Sequence, residues 1–176
     1  MAIIGASATP SRIGYAIAEN MVGSRSRGIF KGHVHLVNPK HREILGEICY
    51  PSISAIPEQV ETVVVAIPAS STPAVIEEAG QCGAKAAIVI SSGFTEVGYR
   101  DLEEELVKAA RKYDLRVIGP NCLGIYDAYT GMDTLFLPEH KFLSDGREVV
   151  ATPRPRQGSI SFLTQSGAFG AASLDY

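Results

Sequence analysis

The sequence predicts an α/β protein built on a Rossmann-like, doubly wound parallel sheet. Three observations carry this. Short apolar runs alternate with helix-period runs in a repeated βα order as far as residue 124. The run TVVVAIP (62–68) is apolar at nearly every position, as a strand buried on both faces should be. Each strand-like run also ends in small or turn-forming residues: GASATPSRIG, NPKHR, IPASS, SSGF and GPNC. In such sheets the crossovers are right-handed, and ligands bind outside the carboxyl ends of the strands.

The elements follow in order. AIIG (2–5) is a short strand closed by glycine. SRIGYAIAENMVG (11–23) carries Ile13, Ile17, Asn20 and Met21 at helical spacing, with Ser11 as a candidate cap. HVHLVNP (33–39) is a second strand, stopped by Pro39, and TVVVAIP is the third. STPAVIEEAGQCG (71–83) is a helix with Pro73 in its first turn and Gly83 beyond its end. KAAIVISSG (85–93) is the fourth strand. YRDLEEELVKAARKY (99–113) is a helix with Leu102, Leu106, Ala109 and Ala110 on one face and Glu104 placed to pair with Lys108 on the other. RVIGPNCLG (116–124) is the fifth strand and its turn. Residues 1–125 are thus expected to form one domain. Residues 126–157, rich in Pro, Gly and Arg towards their end, read as a connector or excursion. GSISFLTQSG then begins a strand–turn–helix, so 158–176 is expected to open a second, flavodoxin-like domain of which too little is present to fold alone.

Composition narrows the function. Of 176 residues, 45% are hydrophobic and 20% charged, as in ordinary globular proteins. A net charge of −3 supplies no basic field, so neither nucleic acid nor a membrane surface is an expected partner. No apolar stretch is long enough to span a membrane, and MAIIGASA lacks the basic flank and apolar run of a signal peptide. Cys49, Cys82 and Cys122 are odd in number and far apart, without a CxxC pair. Neither a zinc ribbon nor a disulfide framework is expected, and a reducing cytoplasm is the simplest setting. His33, His35, His41 and His140 show no ligand spacing with Cys or acids. His33 and His35 alternate on one strand face and read as packing or surface residues, so no metal site is expected.

The chemistry should sit in the loops at the carboxyl ends. The first, Gly5 to Gly14, is not GxGxxG, but small residues and a helix N-terminus suit a phosphate or nucleotide there. The second discriminates better. A NAD site usually offers an acid for the ribose hydroxyls, whereas this chain offers Asn38, Pro39 and Lys40, then His41 and Arg42. A cation in place of the acid favours a ribose bearing a phosphate, as in NADP or coenzyme A. Taken singly, SSGF (91–94) and GPNC (119–122) read equally well as plain turns. Asn121 tolerates unusual backbone angles, and Cys122 fits a small buried position. Their convergence on one sheet edge favours binding.

Together IIGASATPSRIGY, VNPK, ILGEICYPSISAIPE, VVVAIPA, AAIVISSGF, IGPNCLGI and GSISFLTQSGAFGAASLDY resemble the α subunit of ADP-forming acyl-CoA synthetases, acetate–CoA ligases among them. Succinyl-CoA synthetase is a more distant relative. The resemblance implies that Gly5, Ser7, Ala8, Thr9, Pro10 and Arg12 hold the nucleotide end of CoA, with Asn38 and Lys40 beside its phosphate. Ile67, Pro68, Ser91, Ser92 and Gly93 would line the path of the pantetheine arm, and Asn121 would stand near the thiol. Ser92 occupies what looks like a glutamate position in succinyl-CoA synthetases, which favours the acetate-type branch. Ser166 and Gly167 would receive phosphate at the start of the last helix. The family passes phosphate from an acyl phosphate to a histidine and then to ADP. None of the four histidines lies in a matching motif, so no catalytic residue is expected in this chain. ADP, ATP and Mg would belong to an ATP-grasp β subunit or domain, which with the rest of the α subunit is the expected partner in an oligomer. The chain alone is then expected to bind CoA without completing the reaction, and its last residues to be poorly ordered or packed on a neighbour. A stand-alone CoA-binding regulatory module, an NADP-binding Rossmann protein and a protein lysine acetyltransferase with the same domains are the alternatives.

Overall fold

In the computed structural model, which describes residues 1–174, the chain forms a seven-stranded sheet of order β3-β4-β2-β1-β5-β6-β7. The strands are β1 (Ala2–Ile4), β2 (His35–Val37), β3 (Glu43–Ile44), β4 (Glu47–Tyr50), β5 (Thr62–Val65), β6 (Ala86–Val89) and β7 (Arg116–Ile118). All pair in parallel except β3, which runs antiparallel to β4 at the edge. β1 lies at the centre, with Ile3 opposite Leu36 of β2 and Val64 of β5. The strand order reverses at β1, which opens a crevice beside its carboxyl end.

The sheet is buried on both faces. Ala2, Ile4, Val63 and Val65 join Ile76, Ala79, Leu106 and Ala110 in one core. Ile3, Leu36, Val64 and Ile88 join Ile17, Ala18 and Met21 in the other. Alternate residues of one strand therefore enter opposite cores, which is why the central runs show no polar alternation. Helix α1 (Ile13–Ser26) covers one face, and α2 (Thr72–Gln81) with α3 (Arg100–Lys112) covers the other. α2 and α3 approach closely because Gly80 lies against the Tyr113 ring, where a Cβ would come within 2.3 Å of it. The Tyr113 hydroxyl donates to Glu77 at 2.6 Å, and Lys112 pairs with the same carboxylate. Among the described residues Lys108 makes no ion pair with Glu104.

Four features differ from the sequence reading. α1 starts at Ile13 with Arg12 as N-cap and no side-chain cap, so Ser11 does not serve as one. The β3–β4 hairpin has no clear sequence signal. Its turn is Leu45-Gly46, both with positive φ (55° and 75°), and leucine lacks the asparagine or aspartate signature of such turns. Residues 126–157 leave the sheet but form two hairpins, β8–β9 (Tyr126–Asp127, Met132–Asp133) and β10–β11 (His140–Phe142, Glu148–Val150). The first is pinned to α1, where Ser24 Oγ donates to the Gly131 carbonyl at 2.6 Å and Asn20 Nδ2 to that of Leu135 at 2.9 Å. Lastly, 158–164 forms no strand: it pairs with none of the strands among the described residues. Ile160 and Leu163 are 92% and 95% exposed. The expected helix does form, as α4 (Gly167–Ser173). The final two residues of that segment, Asp175 and Tyr176, lie outside the described residues.

Candidate functional site

The crevice at the end of β1 is shaped by two glycines. Gly5 has φ +89°, and a Cβ there would lie 2.3 Å from the Ala66 carbonyl oxygen, so the loops after β1 and β5 touch through backbone. A Cβ on Gly14 would lie 1.9 Å from the Gly5 oxygen. The first turn of α1 is thereby seated directly on the strand end. Packing alone demands both glycines, although neither belongs to a GxGxxG motif.

The seated helix presents an open positive end. No side chain caps α1 and no acid lies in its first turn. Tyr15 N–H already donates to the Arg12 carbonyl at 3.0 Å, so the amides of Ile13 and Gly14, with the helix dipole, are the groups that can meet an anion. The approach loop is pre-shaped: Thr9 N–H donates to Ser7 Oγ at 3.0 Å, and Arg12 N–H to the Thr9 carbonyl at 3.0 Å. Ala8, Thr9, Pro10 and Arg12 are exposed along it.

The loop after β2 is tied to this one. Asn38 Nδ2 donates to the Ala6 carbonyl at 2.7 Å, while its Oδ1 accepts from Lys40 N–H at 2.9 Å. Asn38 thus works as a brace between loops and aims the exposed Lys40 outward. Among the described residues Arg12, Lys40 and Arg42 form no ion pair.

The ends of β5, β6 and β7 are laced together in the same way. Ser91 is buried, with its Oγ donating to the Val65 carbonyl at 3.3 Å and accepting from Ile67 N–H at 3.2 Å. Its own carbonyl accepts from Asn121 N–H at 2.9 Å. Ser91 therefore braces three strand ends, and Ser92 beside it is exposed. Pro68 is exposed and Ile67 half-buried, forming an apolar lip next to them. Asn121 takes the left-handed conformation its residue type tolerates, with φ 54°. Cys122 is half-buried against the Val89 carbonyl, at 3.3 Å, and burial pushes its thiol pKa up.

One further contributor has almost no sequence signal. Glu96, in a 3-10 turn at Thr95–Val97, accepts from Gly93 N–H at 2.5 Å and Phe94 N–H at 3.1 Å. The amide hydrogen bonds, that of Gly93 foremost, hold its carboxyl pKa below the ordinary value. An acceptor following a glycine turn by three residues is the only signal the sequence carries for it. Ser166 and Gly167 sit apart from the sheet but near its end: Leu123 packs beside Gly167 and Gly170 of α4. Ser166 Oγ accepts from Phe169 N–H at 3.2 Å, capping its own helix.

A central parallel sheet, a strand-order reversal and a glycine-seated helix at that point define a Rossmann-like domain. Comparison with known proteins narrows it. Residues 1–128 match the CoA binding domain family, and the chain belongs to that family. It is 39% identical over its whole length to 23% of acetate–CoA ligase (ADP-forming) I of Archaeoglobus fulgidus. It is 35% identical to the α subunit of acetate–CoA ligase (ADP-forming) I of Pyrococcus furiosus, again over its whole length and over 36% of that protein. A solved acetyl-coenzyme A synthetase 1 of Ca. Korarchaeum cryptofilum, in complex with phosphate and ADP, superposes with a TM-score of 0.83 at 38% identity. That match covers 99% of this chain and 34% of the other. The chain thus spans about a quarter to a third of the length of these relatives.

Proposed function

We propose that the chain is the CoA-holding part of an ADP-forming acyl-CoA synthetase. One observation carries the assignment of the site: an uncapped helix N-terminus, seated by Gly5 and Gly14, is flanked by the exposed cations Arg12 and Lys40. The α1 amides and the 7–12 loop take the pyrophosphate of CoA. Lys40 takes the 3′-phosphate of the ribose, where a NAD site would carry an acid. The pantetheine arm then crosses the lip of Ile67 and Pro68 and passes Ser92 and Gly93, whose lack of a side chain leaves room. Its thiol reaches the Asn121 turn.

The rest of the reaction is assigned elsewhere. An acyl-CoA and phosphate would give an acyl phosphate and CoA, a histidine of the remaining α subunit would accept its phosphoryl group with release of the free acid, and an ATP-grasp partner with Mg would pass that group to ADP, giving ATP. Ser166 and Gly167 belong to the phosphate path of that step. On this reading residues 158–176 open a second domain, the chain alone binds CoA without turnover, and the setting is the cytoplasm. No helix of the described residues is long and apolar enough to cross a membrane.

Calorimetric titration with CoA, dephospho-CoA, NAD and NADP tests the reading. CoA is expected to bind best, and loss of its 3′-phosphate to weaken it. Lys40→Ala should remove most of that difference, since a hydrogen bond to a charged group is worth roughly 1.5–3 kcal/mol. Tight NADP binding without CoA binding would overturn the proposal.

A further inference from the structure

The opposite edge of the sheet carries a second cluster that the CoA reading does not use. His35 is the first residue of β2, and His33 precedes it by two, so the two rings share a face. Glu58 reaches them from the segment that leads from β4 to β5. Its Oε2 lies 2.5 Å from His33 Nδ1 and 3.6 Å from His35 Nε2. One ligand atom from each of the three lies within 4.8 Å of the others. Metal–ligand bonds of about 2.0–2.2 Å place neighbouring ligand atoms roughly 3–4 Å apart, so one ion can bridge this set after a small opening of the His33–Glu58 contact.

The cluster is also positioned and chemically suited. His35 is buried, and its ring meets Tyr50 edge-on at 5.9 Å, which restricts its orientation. Two cations stand nearby and both are engaged. Arg25 is held by Glu47 at 2.5 Å, and the Met1 amino group donates to the His33 carbonyl at 2.7 Å. A cavity of about 280 Å³ opens beside the rings, bordered by Arg25, Glu47 and Tyr50, with room for a water or another exogenous ligand.

We propose that His33, His35 and Glu58 bind a first-row transition ion, with Zn²⁺ the best match to two imidazoles and one carboxylate. The ion ties β2 to the segment entering β5, on the sheet edge away from the CoA crevice. Its role is structural: it cross-links two of the strands that flank the β1 switch point. No cysteine takes part.

The test is a Co²⁺ titration of the chelator-stripped 176-residue chain, followed by visible absorption, with Zn²⁺ as competitor. The expected result is one saturable equivalent displaced by Zn²⁺, and a higher Tm with Zn²⁺ than without. His33 and Glu58 have side chains 68% and 49% exposed, so His33→Ala and Glu58→Gln leave the fold intact. Each should weaken binding by more than the 10- to 100-fold that loss of an outer-shell partner typically causes. Both should also abolish the Zn²⁺ shift in Tm. The proposal is overturned if the wild type shows no saturable binding up to millimolar Co²⁺. It is equally overturned if the variants bind like the wild type, or if thiolate-to-metal charge-transfer bands show that cysteines hold the ion.

Discussion

The side chain of Asn38 donates to the carbonyl of Ala6 at 2.7 Å, joining the loop after β2 to the loop after β1. Ala6 is fully buried, so this carbonyl has little access to water. Asn38→Ala is expected to leave it unsatisfied, at a cost of about 1–3 kcal/mol in urea unfolding. The same change should let the Lys40 loop drift, because Oδ1 no longer receives the Lys40 amide. CoA affinity should then fall together with stability. An Asn38→Ala chain as stable as the wild type would show that the brace is idle.

Two glycines of one helix should behave in opposite ways. Gly14→Ala forces a Cβ to within 1.9 Å of the Gly5 oxygen, a backbone atom that cannot move aside cheaply. Overpacking of this kind costs typically 1–3 kcal/mol and should lift the helix end from the crevice, weakening CoA binding. Gly23→Ala meets only the flexible end of Arg27, at 3.3 Å. It should be neutral or stabilise by about 0.5–1 kcal/mol, the helix preference of alanine over glycine. Thermal unfolding of the pair reads this directly, and equal losses in both would sink the packing account.

The contrast between these glycines shows what was legible. The parallel strands announced themselves because both faces are buried, so TVVVAIP and KAAIVI read as uninterrupted apolar runs. The β8–β11 strands have two or three residues each, too few to display a period of two. The run 158–164 has strand composition without a strand beside it, and composition cannot supply the partner. Position at the strand ends picks out the candidate loops, but the hydrogen bonds that brace them are not visible in the sequence. Ser91 and Asn38 look like ligand contacts in sequence, and the structure spends their side chains on bracing. His33, His35 and Glu58 showed no motif because the acid approaches from a separate segment, through the sheet rather than along the chain.

Glu96 makes the SSGF turn sensitive to acid. Hydrogen bonds from the Gly93 amide, and secondarily that of Phe94, favour its charged form and depress its pKa below the ordinary 4.5. A depressed carboxyl pKa contributes stability that is present above the unfolded value and lost as the pH falls through the folded one. The wild type should therefore unfold at higher urea than Glu96→Gln at pH 6, with the gap closing below pH 4.5 as the carboxylate takes up its proton. The group is exposed, so the gap will be small. Urea midpoints measured for both chains across this range decide it, and a gap independent of pH would contradict the assignment.

Arg154 and Asp133 form the most buried ion pair among the described residues, with side chains 6% and 11% exposed and Nε 2.7 Å from Oδ2. The guanidinium also donates to the carbonyls of Leu137 and Thr152, so one side chain gathers both hairpins of the 126–157 excursion. Burial raises the Asp133 pKa, and the arginine opposes that rise. Arg154→Ala strands a buried carboxylate, and breaking such pairs from one side costs about 3–5 kcal/mol. Arg154→Ala combined with Asp133→Asn should recover part of the loss, because the stranded charge is gone while the carbonyls stay unpaired. Differential scanning calorimetry of the single and double variants separates the two contributions. CoA affinity should hold in the double variant, since the excursion is anchored on α1 away from its N-terminal end. A double variant no more stable than the single would place the whole effect in the lost carbonyl contacts.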